Sequence, residues 1–115
     1  MVKYLILFAG AWNLVNGILH DIFVLIQRRP FEKELIRLLI DGNILIFSGI
    51  VLILCFFGMR LQQTFAFWIA FVTVISILAY CGLILKFLPS IGTILIHLSC
   101  LIFMVVELLR KGVPR

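Results

Sequence analysis

The stretch from Leu38 to Arg60, "LLIDGNILIFSGIVLILCFFGMR", decides what kind of object this chain is. After Asp41 it carries no charged side chain until Arg60. Crossing a bilayer core of about 30 Å takes a helix of about 20 predominantly apolar residues, and this run is long enough. Working outward, three further windows have the same character: Tyr4 to Ile26, Thr64 to Leu85 and Phe87 to Leu109. Their apolar residues run on instead of alternating as the wall strands of a membrane barrel do. The expectation is an all-α integral membrane protein, one domain over residues 1–115 with spans at 4–26, 38–58, 64–85 and 87–109.

Composition agrees. The 115 residues are 64% hydrophobic and 13% charged, with a mean hydropathy of +1.27. An average soluble domain is about 25% charged, and no water-soluble core absorbs this much apolar surface. Four spans leave no stretch for a soluble catalytic module, so any chemistry is expected inside the bundle or at its rims. The first window is longer than a signal-peptide core and has no A-x-A-like cleavage site, so it is read as a retained helix.

Breakers set the connectivity. In "RRPFEKELIRLLIDG", Pro30 suits a first helical position and Glu32 and Glu34 a first turn, which predicts that helix two begins near residue 30. In "LKFLPSIG", Leu88 before Pro89 ends helix three near Lys86 and starts helix four at Pro89. Helices joined this tightly are antiparallel neighbours, giving an up-down-up-down four-helix bundle.

Cys55, Cys81 and Cys100 all fall within spans and form no C-x-x-C pattern, so they read as small buried hydrophobes. The net charge of +5 says little about nucleic acid, and no nucleic-acid partner is expected, because basic residues at membrane rims contact lipid headgroups or set orientation. Lys and Arg divide five to five: Arg28, Arg29, Lys33, Arg37 and Lys86 on the side of loops one and three, against Lys3, Arg60, Arg110, Lys111 and Arg115. Such a balance does not fix orientation. It fits insertion both ways round, or a subunit oriented by its partner, while the C-terminal basic cluster favours cytoplasmic termini.

The polar residues fall on faces. Asn13, Asn16, Gly17 and His20 share one face of helix one, with Asp21 on its flank. Asp41 and Ser48 share a face of helix two, with Gly42 and Gly49 beside it and Asn43 well round the helix. Helix three offers Thr73, Ser76 and Tyr80; helix four offers Thr93, His97, Cys100, Met104 and Glu107. At about 1.5 Å per residue from the loop-one side, His20 lies roughly 9–10 Å deep, Asp41 about 5–6 Å and His97 about 13 Å. Convergence in one membrane half is expected, the opposite half being almost wholly apolar.

These positions define a candidate pocket for a small apolar or lipid-like ligand, lined by Asn13, Asn16, His20, Asp41, Ser76, Tyr80, Thr93 and His97. A small membrane enzyme is the alternative, with Asp21 or Asp41 orienting His20 as a general acid or base. Ligation of haem b by His20 and His97 and a dual-topology exporter are further readings, the latter lacking the first-helix Glu of small multidrug exporters. Simple interhelical gluing by the same side chains stands beside all of them. Trp12, Trp68 and the Phe residues read as packing and lipid-facing groups. Expected partners are membrane lipid and either a homo-oligomer or a larger membrane complex.

The helix-two stretch, with its polar D-x-N start, apolar run with Gly and basic stop, resembles the second helix of small bacterial four-helix proteins of the DoxX-like group. The resemblance covers about a quarter of the chain. It implies the same bundle architecture and a prokaryotic inner membrane, and no settled activity.

Overall fold

The computed structural model describes residues 1–85 and 90–113. They form four helices: α1 (Val2–Ile26), α2 (Lys33–Arg60), α3 (Thr64–Ile84) and α4 (Ile91–Lys111). Each is long and apolar enough to cross a membrane. Helix α1 packs on α2 and α4, and α3 packs on α2 and α4, so the up-down-up-down bundle closes on itself. Lys86 and Pro89, where the third connection was expected to break, lie outside the described residues. The fourth helix has Ser90 as its N-cap.

Helix α2 starts later than Pro30 suggested. Pro30 lies in the connection, where its carbonyl accepts from Glu32 N–H at 2.8 Å. That tight turn holds Glu32 extended, at φ −117° and ψ 173°, and makes it the N-cap, so only Glu34 remains in the first turn. The far ends carry basic side chains in their last turns, Arg60 on α2 and Arg110 and Lys111 on α4, where they complement the helix dipole.

The α1–α2 pair is the closest in the bundle, and glycine is the reason. A Cβ added at Gly17 would stand 2.6 Å from the Gly42 carbonyl oxygen, and one at Gly49 would stand 2.6 Å from Leu14 N. Gly10 approaches the Gly49 carbonyl in the same way, at 3.0 Å. Gly10 therefore faces Gly49 while Gly17 faces Gly42, two matched contacts one heptad apart that fix the antiparallel register. Small residues let membrane helices approach backbone to backbone and gain dispersion contacts where lipid offers no hydrophobic drive.

The apolar core fills the half nearest the chain termini, around Ile6, Leu52, Phe67, Val74 and Met104. The buried polar residues Asn13, Ser48, Thr93 and His97 lie from the middle of the bundle toward the loop-one end. On α4 the buried positions are Thr93, His97, Cys100 and Met104. All three cysteines are free and buried.

Candidate functional site

The polar half resolves into three separate groups and a groove. The deepest group lies between α1, α2 and α4. Asn13 and His97 are fully buried, and Ser48 and Thr93 nearly so. His97 Nδ1 stands 2.8 Å from the Thr93 carbonyl oxygen one turn earlier. A carbonyl only accepts, so Nδ1 carries the ring proton and Nε2 is left as an acceptor. Asn13 meets it: its Nδ2 donates to His97 Nε2 at 3.0 Å and to Ser48 Oγ at 3.0 Å, spending both amide hydrogens. Ser48 passes its own hydrogen to the Leu45 carbonyl. Trp12 donates its indole N–H to Thr93 Oγ1 at 3.1 Å, with its ring packed over Gly92. Asn13 Oδ1 has no hydrogen-bond partner among the described residues.

The second group joins α1 to α2 at the loop-one end. His20 Nδ1 lies 3.6 Å from Asp21 Oδ1, and their side chains are 20% and 16% exposed. Asp21 Oδ2 accepts from Asn43 Nδ2 at 3.0 Å, and the same amide donates to the Leu39 carbonyl. His20 Nδ1 and Asp21 Oδ1 lack hydrogen-bond partners among the described residues. A side chain at Gly42 would collide with the Asp21 carboxylate, so this glycine makes the space in which Asp21 sits.

The third group is the Tyr80 hydroxyl donating to Asp41 Oδ1, which ties α3 to α2. The carboxylate beside His20 is thus Asp21, and Asp41 is engaged with Tyr80. Asn16 returns its amide to the Trp12 carbonyl of its own helix. Ser76 does the same to Val72 and sits on an exposed face. His97 has both ring nitrogens engaged within the bundle, so holding an iron would require Nε2 to leave Asn13. Among the described residues no cluster of His, Cys, Asp or Glu has the composition of a metal site.

The groove lies between α2 and α3, with a volume of about 790 Å³. Phe31 and Phe47 stand out as its walls, 81% and 70% exposed. Its polar lining is Asn43, Ser48, Thr73 and Ser76, and the remaining lining is aliphatic or aromatic, without a charged side chain. A second cavity of about 350 Å³ continues beyond Val51 and Ile69, which line both, toward Gly58 and Ala66.

Three participants were not legible as site residues in the sequence. Ser48 was on the right face of helix two, Asn43 stood apart from it, and Trp12 read as packing. The signal for Ser48 and Asn43 is the pairing of Gly10 with Gly49 and of Gly17 with Gly42, which brings Ser48 opposite Asn13 and Asn43 opposite Asp21; Trp12 meets Thr93 across the α1–α4 contact. No protein-family model, curated protein or solved structure matches the chain.

Proposed function

We propose that this is a small membrane protein that binds an apolar or lipid-like ligand in the α2–α3 groove, on its own or as an accessory subunit of a membrane complex. A prokaryotic inner membrane and the DoxX-like likeness belong to the same reading. One observation carries it: every polar side chain lining the groove has already spent its donor hydrogens inside the protein. Thr73 Oγ1 donates to the Ile69 carbonyl, Ser76 Oγ to Val72, Ser48 Oγ to Leu45, and Asn43 Nδ2 to Asp21 and Leu39. A hydrocarbon chain entering this concavity therefore leaves no donor stranded, which removes the usual cost of covering polar groups. The volume falls in the range of about 300–1,000 Å³ typical of ligand sites.

The buried Asn13–His97–Ser48 group supports the floor of this groove, because Ser48 belongs to both. It links three helices and holds the α2 wall against α1 and α4. Filling the groove tests the proposal. Native mass spectrometry of protein extracted from its own membrane is expected to show a bound lipid-like mass, lost in Thr73→Phe. Equal ligand content in the wild type and in both Thr73→Phe and Ser76→Phe contradicts it.

A further inference from the structure

The occupant's other end is legible at the groove mouth. We infer that the groove takes one chain of an anionic membrane lipid from the loop-one leaflet, its headgroup held by Arg29 and Lys33. This rests on the groove reading above and adds the class of lipid.

Length selects a leaflet lipid. From Ile36 at the mouth to Val51 at the inner end, α2 rises about 22 Å. Half of a hydrocarbon core of about 30 Å is about 15 Å. The groove therefore runs from the headgroup region to the bilayer middle and meets the second cavity at Val51 and Ile69. A chain anchored at the loop-one surface fits that span, whereas a compact solute would fill only part of it.

Charge selects the headgroup. The groove itself holds no charged side chain, so a charged head belongs outside it, at the end marked by Phe31 and Ile36. Lys33 precedes Ile36 by one turn, and at 100° per residue it falls in the arc between the groove residues Ile40 and Ile44. Arg28 and Arg29 immediately precede Pro30 and Phe31, and all three basic side chains are exposed. Arg37 stands one turn before Asp41, which offsets it, so the surplus positive charge at this rim comes from Arg28, Arg29 and Lys33 against Glu32 and Glu34. Glu34 projects about 100° round the helix from Lys33, away from the groove. A positive rim over a neutral slot complements an anionic head on an apolar chain. Basic residues at such a surface attract anionic lipid, each changing binding by about five-fold.

The test uses full-length protein stripped of lipid in detergent. It is then exposed to vesicles of equal parts phosphatidylglycerol and phosphatidylcholine with identical chains, and retained lipid is read by native mass spectrometry. The wild type is expected to retain mainly phosphatidylglycerol. The R29Q/K33Q double variant is expected to keep a lipid while losing the preference, by about five-fold for each charge removed. Retention in the vesicle ratio by the wild type, or an unchanged preference in the double variant, overturns the headgroup assignment and leaves the groove standing. No retained lipid, or full retention by both Thr73→Phe and Ser76→Phe, overturns the groove and the inference together.

Discussion

At the residue scale Asn13 is the pivot of the polar half. It is the only side chain bonded to both α2 and α4 among the described residues, through Ser48 and His97. Interhelical hydrogen bonds within membranes average about 0.6 kcal/mol, with a maximum of about 1.7. Asn13→Ala is expected to lower stability by about 1–2 kcal/mol, since two such bonds go and His97 Nε2 loses its donor. A double-mutant cycle with His97→Ala, read by unfolding in mixed detergent, should return a coupling of about 0.6–1.7 kcal/mol. Zero coupling would mean that the two side chains do not meet. The sequence made Asn13, Thr93 and His97 visible as inward positions through helical periodicity alone. It could not assign their partners, because a face does not say which residue stands opposite until the register between helices is known.

At the element scale that register comes from the α1–α2 glycines. Gly17→Ala places a methyl against the Gly42 carbonyl and should cost about 1–3 kcal/mol, as overpacking does. Gly82→Ala is the control. Nothing lies within 4 Å of a Cβ there, so it should be neutral or stabilise by up to about 1 kcal/mol. Equal effects of the two substitutions in the same unfolding assay would remove the close-approach argument. The end of α2 offers a second test. Gln62 adopts φ 59°, its N–H bonds Met59 O, and Gln63 N–H bonds Gly58 O, which is the Schellman arrangement that glycine usually closes. Gln62→Gly should therefore stabilise by roughly 0.5–1 kcal/mol, by relieving the left-handed strain. Helix number, order and the buried face of α4 were legible because lipid admits only long apolar segments with inward polar stripes. The start of α2 was not: Pro30 was free to serve as a first helical residue or as part of a turn, and the Pro30–Glu32 hydrogen bond decides for the turn.

At the scale of the whole molecule the bundle is asymmetric in how tightly its helices meet. Glycine draws α1 onto α2, and no comparable glycine contact lies along the loop-one half of α2 and α3. That face stays open as a groove, within an overall envelope of 52 × 27 × 17 Å. Of the polar groups in that half, Asn13, Ser48 and His97 bond one another, Asp41 bonds Tyr80, and Asn16 and Ser76 bond their own helices, so an apolar slot lies beside a polar scaffold. The most direct measurement of this account is photocrosslinking with a lipid carrying a diazirine near the end of its chain, on protein reconstituted in vesicles. Labelling is expected to concentrate on Val51, Ile69 and Val72 and to fall in Thr73→Phe, with the outer surfaces of α1 and α4 at Val15 and Ile102, both exposed, labelled weakly. Labelling spread evenly over both faces, and indifferent to Thr73→Phe, would contradict a lipid site in the α2–α3 groove.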